Sequence, residues 1–296
     1  GGTSGFVSGM YVTGTGIPAN ATIASVTNGT TMVISAAATA TGTGVTIGAV
    51  GYLPLPNNGS SVGTVNYSLS ASQTQNTAAS AVGTLKISNP AASQTLNLAT
   101  FDLAFGSTTG GLLVTGTNAY TISGTTGGLK VGASGGDLVI HNYNSGGLTI
   151  SAAIKDNTTS ALTRLVTAGT GVTTLSGAMN YTGETFVTGG VLSFSNAGAT
   201  GAGTLGLGVA KAVYIGNGAT LRYTGASATI ASATTANSHT FNLTGGTGAI
   251  EVTTSTATLT IAGVVSGAGG LRKTGAGSLQ LNATGTFTGP VVVAAG

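Results

Sequence analysis

Glycine recurs about every 5.7 residues along this chain, 52 times in 296, and no other feature limits the fold as strongly. Each glycine inside a helix costs roughly 1 kcal/mol relative to alanine, and a three-turn helix would hold two of them. Long helices are thereby excluded as the main architecture. Only 4% of the residues are charged, against roughly 25% in an ordinary soluble domain, while 41% are apolar. A disordered, solvated tail has the reverse balance. The chain is therefore expected to fold, and to fold as β structure.

The formal charge of +3 comes from eight scattered basic residues, of which only Arg272 and Lys273 are adjacent. A nucleic-acid footprint needs clustered Lys and Arg interleaved with aromatic residues, so no nucleic-acid partner is expected. There is no cysteine, which removes disulfide staples, thiolate nucleophiles and cysteine metal sites. No stretch approaches 18 consecutive apolar residues, so no direct membrane span is expected. The start, Gly1-Gly2-Thr3-Ser4-Gly5, has no signal-peptide pattern, and any secretion signal or anchor is expected outside these residues. Fifteen aromatics without tryptophan also argue against a membrane barrel, which carries aromatic girdles.

Short apolar clusters separated by turn residues fill the first fifty positions, and Asn28-Gly29 reads as a two-residue hairpin turn with both residues at positive φ. Residues 1–51 are read as a small β module. Two of the five prolines fall within 51–63, followed by turn formers from Asn57 to Ser61, so 52–82 is read as a linker or irregular edge segment. From residue 83 to 296 apolar pairs spaced two apart recur, among them Leu85/Ile87, Leu96/Leu98, Leu129/Val131, Phe241/Leu243, Leu279/Leu281 and Val291/Val293. A period of two places each pair on one side of a strand.

Internal repetition chooses among the β architectures. A shift of 106 residues superposes Leu165–Gly190 on Leu271–Gly296 without a gap: Leu165/Leu271, Gly169/Gly275, Gly171/Gly277, Leu175/Leu281, Thr182/Thr288, Gly183/Gly289, Val187/Val293 and Gly190/Gly296 coincide, and Tyr181 falls on Phe287. A unit that buries its apolar side only against its neighbours is the mark of a stacked array. The fold class expected is all-β, a right-handed parallel β-solenoid (β-helix) over 83–296 preceded by the small module. At roughly 20–30 residues per turn it would have on the order of eight turns and a length of about 40 Å. Outward Thr and Ser suit such a stack, because neutral hydroxyls do not repel their copies in the next turn.

The segment from Leu271 to Gly296, with its Leu271, Lys273, Gly275, Gly277, Leu279 and Leu281 followed by Phe287-Thr288-Gly289 and Val293, resembles the autotransporter passenger-associated β-strand repeat. The copy at 165–190 keeps the turn and final strand but has Thr167 at the lysine position and Thr173 at the first leucine; Pro290 is a further departure. The resemblance implies a parallel β-helix in a large secreted bacterial protein acting as a passenger, adhesin or fibre, and it brings no catalytic residues.

Candidate chemistry is sparse. Gly201–Gly206 fits a dinucleotide-loop pattern and Gly132–Gly136 a nucleophile-elbow pattern, but glycine is so common that such matches arise by chance, and neither precedes helix-forming sequence. His141 and His239 cannot make a three-histidine metal site. Asp102, Asp137, Asp156, Glu184 and Glu251 are far apart, and Asp137 with His141 is the only close acid–histidine pair. Tyr181 and Phe287 are read as corner-packing residues. No catalytic, cofactor-binding or metal residues are assigned, and no cofactor.

The function expected is that of a non-enzymatic, structural extracellular or cell-surface protein, a repeat segment of a fibre or stalk. Val291–Val293 forms an apolar strand without a polar cap, so the stack is expected either to continue into further repeats or to join a second copy, its expected partner, head to tail through end-to-end β contacts. The alternatives are an adhesin contacting a surface polysaccharide or a cell through one solenoid face, which exposed aromatic rows would favour, and a polysaccharide-processing β-helix, which acids gathered with Lys or Arg in one groove would favour.

Overall fold

The computed structural model describes residues 6, 8–41, 48–59, 61, 63–76, 78–89, 92–106, 109–157, 162–197, 205, 211–230 and 239–296. All of their regular structure is β, and most strands pair in parallel with the equivalent strand one turn later. The chain is a parallel β-solenoid. Face one is an eleven-stranded sheet that starts at Leu53–Pro54, passes through Asn66–Leu69, Thr84–Asn89, Thr109–Gly116, Gly136–Asn144, Thr163–Gly169, Thr185–Val187 and Lys211–Ile215, and reaches Thr286–Phe287. Face two is ten-stranded, from Gln73–Thr74 through Tyr120–Ser123 and Leu148–Ile150 to Val291–Val293. The third position of the turn is filled first by a five-stranded sheet, Ser80–Val82 to Met179–Asn180, and later by a three-stranded one, Ala228–Ile230 to Ser278–Leu281. With eleven strands on face one, ten steps of about 4.8 Å give a rod about 48 Å long.

The period of two explains why these segments become strands and which side they bury. Leu85, Ile87, Leu96, Leu98, Leu129, Val131, Phe241 and Leu243 are fully buried in one continuous core, while the residues between them face out. Leu279 and Leu281 are only half-buried, and Val291 and Val293 are exposed. An inward side chain is covered only when another turn lies over it, and Val291–Val293 pairs with Gly270–Thr274 alone.

Where face one turns into face two, buried asparagines replace apolar residues. Asn144 donates from Nδ2 to the carbonyls of Asn118 (2.7 Å) and Gly147 (2.9 Å), and its Oδ1 accepts from the Gly146 N–H at 3.1 Å. Asn142 likewise donates to the Val172 carbonyl at 2.9 Å and accepts from the Asn144 N–H at 2.9 Å. These side chains satisfy the backbone groups that a tight corner takes out of the ladder.

Three local expectations change. The stretch 52–82, read as a linker or irregular edge, supplies Leu53–Pro54, Asn66–Leu69, Gln73–Thr74 and Ser80–Val82 to the sheets, so it is the first edge of the stack rather than a linker. The module holds the expected hairpin, Ile23–Asn28 with Thr31–Ile34, but Asn28 pairs with Thr31 and the loop is Gly29-Thr30. Neither Asn28 nor Gly29 has positive φ; instead Asn28 Oδ1 accepts the Thr30 N–H at 2.9 Å and so closes the turn. The module also pairs Tyr11–Thr13 antiparallel with Gly48–Val50.

Candidate functional site

Each of the five acids is engaged in holding the fold. Asp102 bridges Lys130 at 3.0 Å and Lys155 at 2.6 Å; burial alone would raise its pKa, but hydrogen bonds from Lys155 and Lys130 hold the carboxyl below the usual carboxylate range. Asp137 pairs with Arg164 at 2.6 Å and Glu251 with Arg222 at 2.7 Å. Asp156 accepts the N–H groups of Thr163 (2.7 Å) and Thr182 (3.1 Å) and the Thr182 hydroxyl (2.6 Å). Glu184 accepts the Tyr214 hydroxyl at 3.4 Å. Asp137 and His141 do share the outward side of one strand, but Asp137 is held by Arg164, and His141 lies parallel to Tyr143 with ring centroids 6.4 Å apart.

The described cavities contain none of the five acids, and among the described residues no three of His, Asp and Glu gather. Gly132–Gly136 is a corner between two strands, with Gly135 at φ 70°; it is no strand-to-helix elbow. The pattern at Gly201–Gly206 lies outside the described residues apart from Leu205, which is buried. Tyr181 is fully buried, its hydroxyl 2.7 Å from Thr185 Oγ1, as a packing residue should be.

His239 is 4% exposed. Burial holds its imidazole below the ordinary histidine range, against a backbone hydrogen bond at Lys211 that acts the other way. The unfolded chain takes up this proton near pH 6.5 and the folded chain only at lower pH. The resulting stability is therefore fully present above that pH and is lost as pH falls through the lowered pKa. Denaturation midpoints at pH 7.5 and 5.5 are expected to fall for the parent and for His141→Gln, and to stay level for His239→Gln.

The outward sides of the faces differ in chemistry. On face two Thr95, Thr121, Thr149 and Thr174 stand in register on successive strands, the hydroxyl ladder expected from the composition, and the row continues through the buried Ser193 to the paired Arg222 and Glu251. On face one the outward row reads Val139, Val166, Phe186, Tyr214. Phe186 and Tyr214 stack at 4.5 Å with planes 4° apart, and Tyr143, 51% exposed, stands four residues beyond Val139 on the same outward side. Asp137 and Arg164 are paired in register beside it. Sequence reading missed this row because its members come from four different turns.

The repeated segment has a simple geometry. Leu165 pairs with Thr185, and Leu271 with Val291, each within its own copy; the repeat is one turn of twenty residues that closes on itself. Its matching glycines share one cause. Gly169 (φ 102°) and Gly275 (φ 77°) are left-handed, and a Cβ on either would strike a carbonyl oxygen of the turn beneath, that of Asn142 or Val252. In the second copy the buried Lys273 ties start to end, its Nζ donating to the carbonyls of Thr274 (2.7 Å), Gly275 (2.8 Å) and Ala295 (3.0 Å). The first copy has the buried Thr167 there, whose carbonyl accepts the Thr188 hydroxyl at 2.8 Å.

The sequence pattern of the passenger-associated transport repeat matches residues 165–194 and 271–296, the two self-closing turns. The chain carries two copies of this passenger-associated repeat. It is also 36% identical, over 181 residues, to the adhesin BmaC autotransporter of Brucella suis biovar 1 (strain 1330); the match takes in 61% of this chain and spans 5% of that protein. No solved structure matches the chain. This passenger repeat protein is extracellular or exposed on the bacterial cell surface, and among its described residues no helix is long and apolar enough to cross a membrane. Its two family copies enter the stack at different points: the first begins on face one, at Thr163–Gly169, and the second on face two, at Gly270–Thr274.

Proposed function

We propose that this chain is a non-catalytic stalk segment of a surface adhesin, and that it makes contact through the outward side of face one, with a surface polysaccharide or a cell as partner. The observation that carries the reading is the row Val139, Val166, Phe186 and Tyr214, with the exposed Tyr143 four residues further along the outward side of its first strand. Apolar and aromatic side chains held in register on an outward face are what an interaction site requires. Similarity to an adhesin supports it, as does the engagement of every acid in the fold.

The test is a triple variant, Tyr143→Ser/Phe186→Ser/Tyr214→Ser, against Thr121→Ala/Thr149→Ala on face two, assayed for binding to host cells and polysaccharides. The aromatic variant is expected to lose roughly tenfold in affinity, about 1.4 kcal/mol, while the face-two variant keeps it. Equal binding by both would refute the assignment.

A head-to-tail filament is the second reading, and it holds only if the amino-terminal end of the rod is open to a further strand. The exposed valines of Val291–Val293 are the surface that such an assembly would bury, and sedimentation over a range of concentrations tests it.

A further inference from the structure

The opposite end of the rod has a different chemistry. The first strand of face one, Leu53–Pro54, pairs with Asn66–Leu69 on one side and is the sheet's edge on the other. The Leu55 N–H donates into the stack, to the Ser68 carbonyl at 3.0 Å. Backbone groups alternate in direction along an extended chain, so the neighbour at 54 turns its own to the open side, while Pro56 lies past the strand end with its carbonyl accepting from Gln75 Nε2 at 3.2 Å. Both are proline and have no N–H to offer. Leu53 and Leu55 meanwhile bury their side chains in the core. The sequence Leu53-Pro54-Leu55-Pro56 is thus a one-sided strand, able to pair with the turn above it and unable to donate to anything below.

The module covers what the prolines leave. Tyr11 is buried in the solenoid core, and its Oη accepts the Asn66 N–H at 2.9 Å, next to the point where pairing with Leu53 begins. Val12, Ile17 and Pro18 face Leu53, Pro54 and Tyr67 across a cleft of about 550 Å³.

We infer that residues 8–41 with 48–56 are a stop built to close the amino-terminal end of this solenoid against addition of another strand, whether from a second copy or from a foreign peptide. Open sheet edges template association, and prolines with a covering element are how such edges are blunted. A second copy pairing its own first strand with this edge, the two amino-terminal ends face to face, would have to displace the Tyr11 contact and would still find no donors at 54 and 56.

Sedimentation of the parent and of Tyr11→Ala/Pro54→Thr/Pro56→Thr tests this, with Asn20→Cys added to both as a cross-linking reporter in a chain that has no other cysteine. The variant is expected to show roughly a doubling of mass with concentration and disulfide cross-linking at position 20, and the parent neither. A variant that keeps its β spectrum and the parent's mass overturns the inference, as does a parent already cross-linked at this end. Mass growth in both without cross-linking at position 20 marks association elsewhere and contradicts the expected difference. Should the variant lose its β spectrum, hydrogen exchange of the parent decides: slow exchange at Leu55 and Asn66 supports the stop, and fast exchange at both refutes it.

Discussion

Gly169→Ala and Gly275→Ala are each expected to destabilise the solenoid by about 3 kcal/mol or more, whereas Gly218→Ala costs about 1 kcal/mol. All three glycines sit at positive φ, where an L-residue pays roughly 1–2 kcal/mol. Gly218 has nothing within 4 Å of where its Cβ would stand, but at Gly169 and Gly275 that atom falls on the carbonyl oxygens of Asn142 and Val252. Those carbonyls belong to the turn beneath and cannot retreat without breaking the stack, so the steric cost adds to the conformational one. Chemical denaturation of the three variants separates the two contributions. Equal midpoints for all three would show that the close approach contributes nothing.

The second large effect is expected at Asn144→Ala, with a loss of about 3 kcal/mol. Its side chain is fully buried and serves the Asn118 and Gly147 carbonyls and the Gly146 N–H. Removing it strands these groups at the corner, and each unsatisfied buried group costs about 1–3 kcal/mol. Thr149→Ala, on the outward side of face two, is the comparison and is expected to stay within about 0.5 kcal/mol of the parent. A small effect at Asn144 would mean that the corner carbonyls find other donors.

The solenoid was legible in the sequence where the signal was local. Pairs such as Leu85/Ile87 and Phe241/Leu243 announce strands by period alone, and the 106-residue shift reveals the stacking. Lateral neighbours were not legible, because turns differ in length: Val166 follows Val139 by 27 residues, Phe186 follows Val166 by 20, and Tyr214 follows Phe186 by 28. Counting cannot align such a row, so the face-one aromatics emerge only from the register. Asn142 and Asn144 fall on the inward phase of Gly136–Asn144, yet their polarity reads as outward until the corner they serve is seen. Pro54 and Pro56 were read as breaking the pairing. They break it on one side only, and that depends on which way Leu55 points.

The differing entry points of the two family copies bear on what the rod displays. Equivalent positions, such as Thr182 and Thr288, lie on different bearings around the shaft, about a third of its circumference apart. A feature attached at a fixed place in the unit is therefore not repeated along one line. As the shaft lengthens, such features spread around it, and an approaching surface can meet one from more than one direction.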